Sequence, residues 1–169
     1  RDRSRRYLDE TEDVSLIISS GNGTLEERGA GYLYTAYLTD RFGADLPGRL
    51  ARTTRTGVAN VEAETGSPWR DVLSDWWAAV VLDKPGAEAE PLGYPSVDLQ
   101  GFLGDPFPLQ PTPLGGADFE RVGTLRSSSV AYYIVDPSES GTMTVRLGGE
   151  GGGSSAPQAG LRLRIIRVQ

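Results

Sequence analysis

Paired carboxylates are the residues in this sequence whose type and spacing come nearest to supporting catalysis. Asp71 and Asp75 lie four positions apart, so they share one face of any helix that contains both. Glu62 and Glu64 lie two positions apart and point to different sides of a helix. A carboxylate-only glycosidase needs two such groups that converge across a cleft, one of them with a raised pKa. Solvated surface charge explains both pairs more simply, so we assign neither pair to catalysis.

Histidine and cysteine are both absent from the 169 residues. Without histidine the chain lacks the commonest general base, the usual partner of a serine nucleophile and the usual zinc ligand. Without cysteine it can form no disulfide, no thiolate metal site and no cysteine nucleophile. We therefore predict that this chain contains no catalytic residue, no metal ligand and no cofactor.

Three tryptophans could form an aromatic platform for sugar rings. Trp69 and Trp76 follow helical spacing on a predicted core face, so packing in the core explains them better. Trp77 falls outside that stripe and is predicted to contact another segment.

The charge of the chain restricts its partners. The net charge is -6 and the pI is about 4.7, so there is no overall positive field for nucleic acid. Arg162, Arg164 and Arg167 form only a local basic patch, which a solvated strand or a protected sheet edge explains. No apolar run approaches the roughly 18 residues of a membrane span. The start, "RDRSRRYLDE", lacks the apolar core of a signal peptide, so any export signal is expected in a longer precursor or already removed.

The first half of the chain is predicted to be helical. Thr24 and Glu27 form a capping box that begins a helix, and Gly43 ends it. Shorter helices are predicted over 46–52 and 57–65. A last helix is expected to begin at Ser67 as N-cap, with Pro68 at its first position, and to end before Pro85 and Gly86.

Two glycines interrupt the first two turns of the helix that Thr24 begins. Gly29 and Gly31 each cost about 1 kcal/mol of helix stability relative to alanine. Close contact between this helix and the backbone of another element would offset that cost. We therefore predict an interface at these two positions.

The second half is predicted to be β. "SVAYYIVD", "TMTVRL" and "LRLRIIRV" carry alternating or continuous apolar residues, "DFERVGTL" is a further candidate strand, and "GGEGGGSSAPQAG" is predicted to be a loop. The predicted fold class is α+β: a helical subdomain over 1–85, followed by a small antiparallel β-sandwich over 86–169.

The order of these segments resembles a known family. "LEERGAGYLYTAYLTDRFG", "TGVANVEAETG", "WRDVLSDWWAAVVLD", "FPLQPTPLGG", "SSSVAYYIVD" and "LRLRIIRV" are similar to the region downstream of the zinc motif in bacterial secreted metallopeptidases of the hyicolysin-like group. The resemblance covers about Tyr7 to Val168, and its motifs are packing motifs. In that family an HExxH helix binds zinc, and none of the zinc ligands can be transferred to this chain.

The resemblance implies a non-catalytic C-terminal portion of a secreted, extracytoplasmic bacterial zinc metallopeptidase. The partner is then the N-terminal catalytic part of the same polypeptide, which would carry the zinc, and Gly29, Gly31 and Trp77 are the expected interface with it. The alternative is a stand-alone extracellular module in which the sandwich binds a polysaccharide or a protein. A chain that descends from a peptidase and has lost its site, and a carboxylate-only glycosidase, are the remaining alternatives.

The absence of histidine and cysteine predicts that this chain alone neither holds zinc tightly nor cleaves peptides, because carboxylates alone make poor zinc sites. Zinc content after dialysis and cleavage of a generic protein substrate test this. Stoichiometric zinc or zinc-dependent cleavage would contradict the prediction.

Overall fold

The chain is mostly helical in the stretches that the structure, a computed structural model, describes. Those stretches are residues 1–18, 21–85, 92–115, 121–135, 144–145 and 160–167. They contain the helices α1 (Asp2–Asp9), α2 (Leu25–Phe42), α3 (Leu46–Arg52), α4 (Gly57–Thr65), α5 (Trp69–Leu82) and α6 (Leu99–Leu103). The strands are β1 (Lys84–Pro85), β2 (Gly93–Tyr94), β3 (Thr112–Leu114) and β4 (Tyr133–Val135).

The local signals for α2 to α4 are confirmed. The Thr24 hydroxyl accepts a hydrogen bond from the Glu27 amide at 3.2 Å, and the Glu27 carboxylate accepts one from the Thr24 amide at 2.7 Å. This is the reciprocal capping box that satisfies two otherwise orphaned backbone donors. Gly43 ends α2, and Gly66 ends α4 with a left-handed φ of 67°.

Helix α5 begins one residue later than predicted. Pro68 precedes the helix, and Ser67 does not cap it. The carboxylate of Glu62, on α4, instead accepts a hydrogen bond from the Trp69 amide at 2.8 Å. At the other end Asp83 adopts a left-handed φ of 40° and closes α5 two residues before Pro85.

Helix α1 was not expected from the sequence. It lies across α2, and a Cβ built at Gly29 would overlap the carbonyl oxygen of Arg3. The two backbones can approach this closely only because residue 29 has no side chain. Arg1 and Arg5 donate to the carbonyl oxygen of Leu103 at 3.2 and 2.6 Å, which fastens the same helix to the end of α6.

An aromatic cluster lies at the centre of the core. Trp76 is fully buried and stacks parallel to Tyr7, with ring centroids 5.8 Å apart. Tyr34 meets the same indole edge-on at 5.0 Å. The Trp76 indole N–H donates to the Tyr94 hydroxyl at 2.7 Å, and that hydroxyl donates to the Leu33 carbonyl at 3.3 Å. The cluster therefore connects α1, α2, α5 and β2.

The same core extends past residue 85. Tyr94, Leu99 and Leu103 are fully buried and belong to one cluster with the helical residues, as does Leu109. The boundary between 85 and 86 stays a prediction, but residues 94–109 share their apolar core with the helices.

The predicted antiparallel β-sandwich is wrong, and with it the α+β class. The described residues contain only two short two-stranded pairings, and both are parallel. Lys84 pairs with Gly93 in the first, and Thr112 with Tyr133 in the second. Residues 144–145, from "TMTVRL", form no strand, and neither do 161–167 or 121–125. The other residues of "TMTVRL" and nearly all of "GGEGGGSSAPQAG" lie outside the described residues.

The sandwich prediction failed because alternation does not specify what a segment packs against. The side chains of β4 are all exposed, whereas the preceding Tyr132 donates its hydroxyl to the Trp77 carbonyl at 2.9 Å. Arg162 and Arg164, read as the outer face of a strand, instead reach carboxylates on α5. "VSLII" is neither strand nor helix, and the Ser128 hydroxyl accepts from the Leu16 amide there at 3.1 Å.

Replacement of Trp76 by alanine should lower the free energy of unfolding by about 3 to 5 kcal/mol, because a fully buried ring is lost from the core. Trp76→Phe keeps an aromatic ring but loses the N–H donor to Tyr94, so it should cost less. Denaturant unfolding measures both variants, and Tyr32→Ala, at a half-exposed aromatic position, is the control. A Trp76→Ala midpoint equal to that of the control would contradict the central role of the cluster.

Candidate interface on helix α2

A polar groove of about 480 Å³ lies between the end of α1 and the segments before β3 and β4. Arg121 spans it, 3.3 Å from the Glu12 carboxylate and 3.4 Å from the Thr112 hydroxyl. Tyr132 also lines the groove, but its hydroxyl is directed at the Trp77 carbonyl, and burial raises its pKa well above the ordinary value. The groove therefore contains one ion-paired carboxylate, that of Glu12, and a protonated phenol, and the carboxylates of Asp9, Glu10 and Asp13 also line it.

The carboxylates weighed for glycosidase chemistry do not face each other across a cleft. Asp71 and Asp75 lie on the same face of α5, 2.6 Å from Arg162 and 2.5 Å from Arg164, respectively. Glu64 is paired with Arg49 at 3.2 Å. Each of these carboxylates has an arginine partner.

A zinc ion of the kind that the resemblance implies does not fit this chain. Carboxylates are the only negatively charged ligands in the sequence, and histidine and cysteine are absent. Among the described residues no group of three or more carboxylates is placed to hold a metal ion.

The structure separates the two glycines for which an interface was predicted. Gly29 is buried against the backbone of α1, so its close contact lies within this chain. Gly31 lies about 200° further around the helix, and a Cβ built there would meet nothing within 4 Å. The prediction of a tight backbone contact therefore fits Gly29, while Gly31 faces open space.

Gly31 belongs to an exposed surface with apolar side chains at its edges. Leu25 is 40% exposed and Tyr32 52% exposed, on the side of α2 away from the core. Ile18, 43% exposed, lies over the start of the helix at Gly23. We call this surface the α2 face; its members are Ile18, Leu25, Arg28, Gly31 and Tyr32.

Contacts within the chain position two members of the α2 face, Arg28 and Tyr32. The guanidinium of Arg28 donates twice to the Asn22 carbonyl, at 2.9 and 2.7 Å. The ring of Tyr32 lies against that of Phe102, with centroids 6.2 Å apart and an interplanar angle of 32°. The Arg28 guanidinium and the Tyr32 ring are thus positioned by contacts within the chain, which lowers the entropy cost of binding a partner there.

Trp77 lies apart from this surface, on α5. Its side chain is half-buried at the edge of the core, and its carbonyl accepts the hydrogen bond from Tyr132. The indole N–H is buried without a hydrogen-bond partner among the described residues. Trp77 therefore contacts another segment of this chain, and its role towards a further part of the protein stays a prediction.

The exposed members of the α2 face were missed in the sequence. Leu25 and Tyr32 are seven positions apart, which places them on one side of a helix. The same helix carries the wider core stripe that includes Leu33 and Tyr37. The apolar pattern of that stripe dominates the sequence of the helix and makes the second row hard to recognise. A pair of apolar residues outside the core stripe was the available signal.

No protein-family model, curated protein or solved structure matches this chain. In the part of the chain that the structure describes, no helix is both long and apolar enough to cross a membrane.

The two glycines make a matched pair of substitutions. Gly31→Ala should raise the free energy of unfolding by about 1 kcal/mol, because the methyl group meets open space and alanine favours the helix. Gly29→Ala should lower it by about 1 to 3 kcal/mol, since the methyl group would force α1 away from α2. Thermal melts compare the two variants. Equal shifts of the same sign would show that α1 does not pack on Gly29.

Proposed function

We propose that this chain is the non-catalytic C-terminal portion of a secreted, extracytoplasmic bacterial zinc metallopeptidase of the hyicolysin-like group. Its role is to scaffold a catalytic part that carries the HExxH helix. The resemblance of its segments supplies the family, and the absence of histidine from the sequence assigns the zinc chemistry to another part of the protein.

The single observation that carries the scaffold role is the α2 face. A helix in a soluble domain normally turns its apolar residues inward, and α2 already buries Leu33, Tyr34 and Tyr37. Leu25 and Tyr32 form a second apolar row on the same helix, and Gly31, about 100° from Tyr32 around the helix, faces open space. The catalytic part is the proposed occupant of this surface.

The core beneath the α2 face supports the same role. Hydrogen bonds join Trp76 to Tyr94, and Tyr94 to the carbonyl of Leu33 on α2 itself, so the helix is fixed to the core. A scaffold needs a helix fixed in this way, because a partner that docks on a rigid surface loses less conformational entropy. The capping box at Thr24 also fixes the end of α2 that carries Leu25.

The alternatives have less support. The stand-alone binding module depended on a β-sandwich as its recognition surface, and the described residues form none. The glycosidase needed two carboxylates that converge across a cleft, whereas Asp71 and Asp75 share one helix face and each has an arginine partner.

A larger side chain at position 31 tests the proposal. In a protein that includes the residues encoded upstream of Arg1, Gly31→Leu should lower the melting temperature and the zinc-dependent peptidase activity, because the side chain meets the docked part. In the chain Arg1–Gln169 alone the same change should be neutral or stabilising. Ala63→Leu, at an exposed position of α4, is the control in both proteins.

Two results would count against the proposal. One is an upstream sequence without HExxH. The other is a longer protein in which Gly31→Leu and Ala63→Leu have the same effect on melting and on activity.

A further inference from the structure

The last described segment, residues 161–167, lies along α5 and is held there by charge. The guanidinium of Arg162 is 2.6 Å from Asp71, and that of Arg164 is 2.5 Å from Asp75. Arg164 also donates to the hydroxyl of Ser74 at 3.3 Å, and Ser74 is only 8% exposed. A cavity of about 360 Å³ lies between the segment and the helix, lined by these residues and Leu163.

The spacing of the charges on the two elements matches. Two residues of extended chain advance about 6.6 Å, and four residues of α-helix advance about 6 Å. Arg162 and Arg164 are two apart, whereas Asp71 and Asp75 are four apart. Both ion pairs can therefore form at once without bending either element.

Three of the four apolar side chains of the segment are exposed and contribute little to this attachment, whereas Ile166 is half-buried. Leu161 is 38% exposed, Leu163 47% and Ile165 71%. A segment attached by hydrophobic burial would turn these residues towards the helix, but here the arginines are turned inward. The ion pairs are themselves partly solvated: the side-chain exposures are 47% and 54% for Arg162 and Asp71, and 35% and 23% for Arg164 and Asp75. Partly exposed pairs of this kind are weak and are screened by salt.

We propose that residues 161–167 form a reversible ionic strap that covers the Asp71, Ser74 and Asp75 surface of α5. At low ionic strength the strap lies on the helix; at high ionic strength, or when either carboxylate is neutralised, it is released and the surface becomes accessible. The proposal does not depend on the peptidase assignment, because both halves of the contact lie within this chain.

Limited proteolysis of the full chain with trypsin tests the strap. Trypsin binds the arginine side chain before the cleaved bond in an acidic pocket, so an arginine paired with aspartate must first leave it. Arg55 is the internal reference, because it lies outside the strap, is exposed in the loop between α3 and α4, and forms no ion pair with a described residue. The measured quantity is the initial cleavage rate after Arg162 or Arg164 divided by the rate after Arg55 in the same digest.

Neutralisation of one carboxylate should raise this ratio. Asp71→Asn should raise it about two- to fivefold for Arg162, and Asp75→Asn should do the same for Arg164, which is the range expected for an exposed ion pair. Glu10→Gln removes the same charge from an exposed position elsewhere and is the matched control; its ratio should equal that of the wild type.

A salt titration of the unmodified chain gives a second readout. The wild-type ratio should rise between 20 mM and 500 mM NaCl, and the ratio of the Asp71→Asn, Asp75→Asn double variant should stay constant and high. Division by the Arg55 rate cancels the effect of salt on trypsin itself. A wild-type ratio that neither salt nor the substitutions change would overturn the proposal.

Discussion

The hydrogen bond from the Trp76 indole to the Tyr94 hydroxyl is the interaction on which the rest of the structure depends. Both groups are fully buried, so each polar atom needs a partner to offset its desolvation. Burial raises the pKa of Tyr94 well above its ordinary value, and the phenol stays protonated. It can therefore accept from Trp76 and also donate to the Leu33 carbonyl. This chain of two bonds fixes α5, β2 and α2 relative to one another.

Helix α1 completes this arrangement and determines which surface of α2 remains available. Tyr7 stacks on Trp76, and Gly29 lets the α1 backbone lie directly on α2. With one side of α2 against α1 and another against the aromatic cluster, the row of Leu25 and Tyr32 is left exposed. The proposed interface is thus a consequence of how the core is filled.

Sequence reasoning succeeded where the signal was local. The capping box of Thr24 and Glu27 and the terminal Gly43 are read from residues that lie next to each other, and helices α2 to α4 were predicted with the correct bounds. It failed where the partner is distant along the chain. The Glu62 cap of Trp69 and the pairing of Arg164 with Asp75 depend on contacts that spacing along one segment does not encode.

Helix α1 and the absent sandwich illustrate the same point. Four arginines among the first six residues conceal the apolar pair Tyr7 and Leu8 that anchors α1. In the C-terminal segment, alternation suggested a strand, but alternation says only that two sides differ. Here the arginine side chains of the segment form ion pairs with carboxylates on α5. The exposed row on α2 could have been predicted, because Leu25 and Tyr32 are seven positions apart on one predicted helix.

The central claim is that the α2 face is covered by another part of the same protein, and side-chain footprinting with hydroxyl radicals tests it most directly. Tyr32 and Tyr133 are 52% and 43% exposed in this chain, so both should be modified at similar rates in the isolated chain. In the longer protein the account predicts that Tyr32 becomes protected while Tyr133 remains reactive. Equal reactivity of Tyr32 in the two proteins would contradict it.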